Sequence, residues 1–241
     1  MIATSLNLII SILIGAFGGV GILYVLETPP QHFTYAELQT YDFSKSNILV
    51  IKPVLTANAY KSGGFYNYYD GFCTESCLSV QIDQNIPLTY DSSLRAVTRF
   101  EELGATMADD YTINLDELKN YDKIILLHNE YVTQEFFDAV QNHPNVIYMY
   151  PNALYGKVEV KDGIMTLIQG HGYNGKDNGF DWKYDNTRPY EFDVQCLTYD
   201  WIKIDNGLQL NCYPENFILD NAWVFGNVRD IATDKGQYIR D

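Results

Sequence analysis

His128-Asn129-Glu130 follows Ile124-Ile125-Leu126-Leu127, the clearest apolar run of the folded part of the chain. An imidazole two residues from a carboxylate supplies a base and a group to orient it. The same pair can instead close a strand end by binding backbone. His128 and Glu130 are the candidate catalytic residues. His171 stands in Gln169-Gly170-His171-Gly172-Tyr173, where glycines let the backbone come close to a ligand. Imidazole is also the commonest metal-binding side chain. A meeting of His128, His143 and His171 would make a metal site, although no local spacing brings them together.

Residues 171–193 are rich in Gly, Asn and Asp. Asp177, Asp181 and Asp185 are candidate ligands for calcium, with Glu191, Asp193, Asn178 and Asn186 nearby. Hard cations take several oxygens from a bendable loop, but no EF-hand spacing is present. Phe65, Tyr66, Tyr68, Tyr69 and Phe72 form an aromatic cluster flanked by glycines. Such rings can stack on sugars or pack against a protein partner. Tyr66, Tyr68, Tyr69 and His171 are therefore candidate binding residues. Four cysteines allow three pairings, and Cys73–Cys77 with Cys196–Cys212 is the local one. Their spacing does not match the usual zinc pattern. G-x-S-x-G, G-x-G-x-x-G, the Walker loop and H-E-x-x-H are all absent, which removes the commonest hydrolase, nucleotide and zinc-protease readings.

These groups need elements to hold them. NILVIKP (47–53), KIILLHN (123–129) and NVIYMYP (145–151) read as buried strands. DSSLRAVTRFEEL (91–103) reads as a helix with Leu94, Val97, Phe100 and Leu103 on one face, started by Asp91 or Ser92 and ended by Gly104. Residues 105–113 read as a further strand or extended segment and 115–121 as a short helix. Residues 133–143 read as a helix capped by Thr133, with Phe136, Phe137 and Val140 inward. Alternation at this spacing implies an α/β fold with a parallel sheet and crossover helices over 47–155. Hairpins over 157–170 and 197–213, turning at Lys161-Asp162-Gly163 and Asp205-Asn206-Gly207, make 156–241 a β-rich extension packed on that core.

The element order, with the phrase Tyr121-Asp122-Lys123-Ile124-Ile125-Leu126-Leu127, resembles the flavodoxin-like core of class I glutamine-amidotransferase-like domains. Those enzymes use Cys with His-x-Glu, so the resemblance implies an amidohydrolase-like site at His128 and Glu130, with Cys73 upstream. Cys73 lies in GFCTESC, however, and not in the glycine-flanked elbow of that family. A bond to Cys77 would also remove the thiolate. The phrases GFYNYYDGFC, LLHNEYVT and NCYPEN are similar to uncharacterised membrane-anchored proteins of ammonia-oxidising archaea, a resemblance that brings no activity with it.

Residues 2–26 carry no charged side chain and are long enough, at about 1.5 Å per residue, to cross a hydrocarbon core as one transmembrane helix. Residues 27–46, with Pro29 and Pro30, read as a linker. All charge follows the apolar run, and the net charge is -15. A surface so acidic, with no basic stripe, excludes nucleic acid as a partner. An even cysteine count fits an oxidising exterior. The expected protein is a single-pass, outward-facing binding or structural module of the cell envelope. Its partner would be a membrane protein or an extracellular ligand. The alternative is a divergent amidohydrolase-like enzyme.

Overall fold

Two continuous apolar runs set the centre of the fold. Ile48–Lys52 (β1) and Lys123–Leu126 (β4) pair in parallel, Leu49 opposite Ile124 and Ile51 opposite Leu126. Both faces of these strands are covered, so they show unbroken apolar sequence in place of alternation. The computed structural model describes residues 42–184, 192–196 and 199–216. Around the central pair lies a six-stranded sheet, to which Thr106–Asp109 (β3), Val146–Tyr148 (β6), Trp201–Ile204 (β9) and Gly207–Leu210 (β10) contribute. Its order is β3-β1-β4-β6-β10-β9, parallel except for β9 on the edge.

The strand period of two sorts the core into layers. Val50, Ile125 and Ile147 face one side, where Ala96, Val97 and Phe100 of helix Leu94–Glu102 (α3) cover them. Leu49, Ile51, Ile124, Leu126 and Val146 face the other. There they meet Phe136 and Val140 of helix Gln134–Gln141 (α4). Thr133 starts α4 by accepting a hydrogen bond from the Phe136 N–H, as its sequence position predicts. Gly104 ends the α3 turn in the left-handed region, at φ 76°. The start of α3 differs from expectation. Tyr90–Ser92 form a separate 3-10 turn, and Ser93, at φ 60°, is the residue from which the α-helix begins.

A second, four-stranded sheet has the order β2-β8-β7-β5, from Ser79–Gln81 (β2), Tyr131–Val132 (β5), Gly156–Lys161 (β7) and Ile164–Gln169 (β8). The β7–β8 hairpin turns at Asp162 and Gly163, both in the left-handed region as a type I′ turn requires. Two helices, Val54–Tyr60 (α1) and Phe65–Tyr69 (α2), pack Leu55, Ala59 and Phe65 against Val80, Tyr131, Val158 and Leu167 of this sheet. The aromatic segment 65–72 is thus largely helix, not the displayed loop its glycines suggest. The expected C-terminal hairpin is present as β9 and β10 and joins the main parallel sheet through β10, so the C-terminal part supplies core strands. Both expected cysteine pairs form, Cys73–Cys77 and Cys196–Cys212, and no cysteine is free. The apolar run 2–26 lies outside the described residues. Among the described residues no helix is long and apolar enough to cross a membrane.

Candidate functional site

The chain leaves β4 through His128-Asn129-Glu130 and enters β5, passing from one sheet to the other. This crossing lies beyond the carboxyl ends of β1 and β4. From β1 the chain goes first to the β3 side and then to the β4 side, so the connections diverge here and leave the crevice in which α/β sheets bind ligands. Thr56 of α1 fixes the crossing, its Oγ1 accepting from the N–H groups of Glu130 and Tyr131 at 2.9 and 3.2 Å.

The Glu130 side chain is fully buried and has three polar neighbours. Oε1 accepts from His171 Nε2 at 2.5 Å and from the Tyr66 hydroxyl at 3.2 Å. Oε2 lies 3.4 Å from His128 Nε2. The Tyr60 hydroxyl in turn donates to Tyr66 at 2.6 Å. Burial alone would raise the carboxyl pKa, but hydrogen bonds and charge from His128 and His171 outweigh it and hold the group at about 2. Burial, and then the Glu130 charge, push Tyr60, Tyr66 and Tyr131 upward, so these phenols keep their protons. Tyr69 is raised by burial and by the same charge.

The two imidazoles are held differently. His128 Nδ1 lies 2.5 Å from the Asp91 carbonyl, which only accepts, so Nδ1 carries a proton and donates it. The His128 N–H donates to Ser93 Oγ, and the ring stacks on Tyr150 at 5.5 Å. The Asn152 amide nitrogen sits 2.6 Å from Nε2 while its oxygen is buried with no partner among the described residues. Turning that amide over would pair the oxygen with an Nε2–H. His128 is thus immobilised on every side. His171 is tied at Nε2 alone, and its Nδ1 makes no hydrogen bond to a described residue. Its side chain is 16% exposed. Its backbone is left-handed at φ 52°, between Gly170 and Gly172, a conformation that costs a non-glycine residue about 1 kcal/mol or more. Rings of Tyr155, Tyr69, Tyr66 and Tyr131 surround it at 4.5, 4.8, 5.8 and 5.9 Å.

Five of the expected site residues therefore converge: His128, Glu130, His171, Tyr66 and Tyr69. Tyr68 stands one ring further out, edge-on to Tyr69 and Tyr173. Phe72 points away and is 80% exposed. His143 binds the Tyr121 carbonyl and the Asn145 N–H elsewhere, so the three-histidine site does not form. Cys73 is bonded to Cys77, and the thiolate of an amidotransferase-like site is missing. In the acidic loop the Asp181 carboxylate pairs with Lys176 at 2.8 Å, and the Asp177 carbonyl accepts from the His171 N–H. Asp185 lies outside the described residues. Among the described residues no three His, Cys, Asp or Glu side chains are grouped to hold a metal. Thr56, Tyr60, Ser93 and Asn152 carry no local sequence signal, because each reaches the site only through the fold.

A second buried carboxylate lies next door. Asp110, after β3, accepts from the Leu55 N–H at 3.0 Å and from Asn129 Nδ2 at 2.9 Å. It faces a cavity of about 120 Å³ walled by Leu55, Ile113, Leu115, Phe136 and Val160. Burial raises its pKa to about 7, against smaller lowering effects of these hydrogen bonds. No protein-family model matches the chain, and no curated protein matches it.

Proposed function

We propose that the chain is an extracytoplasmic binding module, anchored in the cell membrane by residues 2–26. In this reading its α/β part is a flavodoxin-like domain of the glutamine-amidotransferase-like kind that lacks the cysteine nucleophile. The strand order supports that fold assignment, since without the antiparallel edge strand β9 the sheet β3-β1-β4-β6-β10 has the 2-1-3-4-5 order of flavodoxin-like sheets. Two disulfides and a net charge of -15 support an oxidising, saline-tolerant exterior.

One observation carries the binding role. Tyr66 and Tyr69 of α2, Glu130 of the β4–β5 crossing and His171 after β8 are far apart in sequence. They meet at one place, where the His171 side chain keeps 16% of its surface exposed. A buried charge and a strained backbone residue at the same spot are costly for structure alone. A thermal-shift screen of the full-length protein against neutral saccharides, amino acids and short peptides tests the reading. A ligand that raises Tm for the wild type but not for Tyr69→Ala supports it, because only a ligand favouring the folded state raises Tm. Recovery of the intact chain from the cytosol, with its cysteines reduced, would contradict it. The catalytic alternative at His128 and Glu130 is favoured by their 3.4 Å contact, but His128 is saturated by protein partners.

A further inference from the structure

Of the two imidazoles on Glu130, only His171 can meet another molecule. Its Nε2–H is spent on the carboxylate, which fixes the tautomer and leaves a lone pair on Nδ1. Beside it, the hydroxyls of Tyr69 and Tyr131 are buried close enough to interact with each other, and Tyr69 has no further hydrogen-bond partner among the described residues. Two phenols that share one hydrogen bond have one hydroxyl hydrogen left over, ready for an acceptor on an incoming molecule.

We infer that His171, oriented by Glu130, is a general base for the hydrolysis of small uncharged esters, with Tyr69 as donor to the oxygen that becomes negative. Nδ1 takes a proton from water as the water oxygen bonds to the ester carbonyl carbon. The carbonyl oxygen gains the charge and is stabilised by the Tyr69 hydroxyl. Collapse breaks the carbon–alkoxy bond, and the leaving alcohol takes the proton back from Nδ1. The products are a carboxylic acid and an alcohol, with no change of oxidation state. Glu130 stays ionised throughout, as its pKa of about 2 allows, and stabilises the imidazolium that forms. The Glu130 charge and the acidic surface select against anionic esters. The rings of Tyr66, Tyr69 and Tyr155 favour an apolar acyl group. This role goes beyond ligand binding and does not depend on it.

The test is release of p-nitrophenolate from p-nitrophenyl acetate by the full-length protein in detergent. Turnover should exceed that of an equal concentration of imidazole by at least about tenfold, a fraction of what a positioned base supplies. Its pH profile should follow one deprotonation. The groups facing His171 are Glu130, Tyr66, Tyr69, Tyr131 and Tyr155. His171→Gln should abolish the rate. Tyr69→Phe should lower kcat about a hundredfold at unchanged KM. Glu130 is a positioning residue, so Glu130→Gln should lower kcat and move the pH midpoint. The exposed Glu159→Gln should change nothing. Carbethoxylation of the wild type by diethyl pyrocarbonate needs no variant, and His171 should react faster than histidine in an unstructured peptide. Turnover no faster than imidazole, turnover that survives His171→Gln, or slow modification of His171 would overturn the inference. The binding reading would remain, since its readout is Tm.

Discussion

Glu130 and Asp110 are buried carboxylates joined through one residue, Asn129, and they are pushed in opposite directions. Glu130 has lost water but gained two imidazoles and a phenol. Asp110 has lost water and gained only neutral amide donors. Burial is nearly the same for both, so burial does not decide the charge of a carboxyl group here. The presence of a partner that can carry positive charge decides it. The contrast also separates their uses. Glu130 is a fixed negative charge that can orient a base, whereas Asp110 is a group that titrates near neutrality beside a small apolar cavity.

The two groups give stability opposite slopes with pH. Asp110 has a folded pKa above its ordinary 3.8, so the stability it contributes is complete below pH 3.8. That contribution is lost as pH rises to about 7, a fall of about 4 kcal/mol. Urea unfolding at pH 4, 5.5 and 7 measures it, and Asp110→Ala should flatten that interval whatever it does to the absolute stability. Glu130 has a folded pKa below its ordinary 4.5. Its contribution is present above pH 4.5 and is lost as pH falls to about 2, by about 3 kcal/mol. Glu130→Gln should remove the acid limb and leave the neutral limb in place. If one substitution flattened both limbs, the two carboxylates would be a single coupled unit and the contrast would fail.

Smaller effects sharpen the comparison. Tyr66→Phe deletes the hydroxyl between Tyr60 and Glu130 and should cost about 1–2 kcal/mol, more above about pH 3, where Glu130 is ionised, than at about pH 2, because the bond is to a charged group. Thr133→Ala removes the α4 cap at the edge of the Asp110 cavity. It should cost about 1 kcal/mol equally at every pH, since no titrating group is touched. A cap variant with pH-dependent cost would mean that Asp110 senses the end of α4.

The large elements were legible because their signals are local. β1, β4 and β6 are short apolar runs, α4 has Thr133 and a clear inner face, and Asp162-Gly163 and Gly104 mark turns that require left-handed backbone. Residues 54–60 escaped notice, since a seven-residue helix with no side-chain cap leaves almost no pattern. The two-residue β5 is shorter than any periodicity can register. At the site, His128 and Glu130 were readable because they end the best strand. The partnership of Glu130 with His171 was not, because 41 residues and a sheet-to-sheet crossing separate them. Asp110 offered even less, as its character comes entirely from burial and from a cavity that only the fold creates.

The central claim is that Glu130 is an ionised carboxylate held between two imidazoles at the meeting of the two sheets. Carbon-13 NMR of the side-chain carboxyl groups, assigned by comparison with Glu130→Gln, tests it most directly. The account predicts a Glu130 signal that keeps the ionised chemical shift from pH 8 down to about pH 3 while exposed carboxylates titrate around pH 4. A Glu130 resonance that moves with a midpoint at or above 4.5 would contradict it.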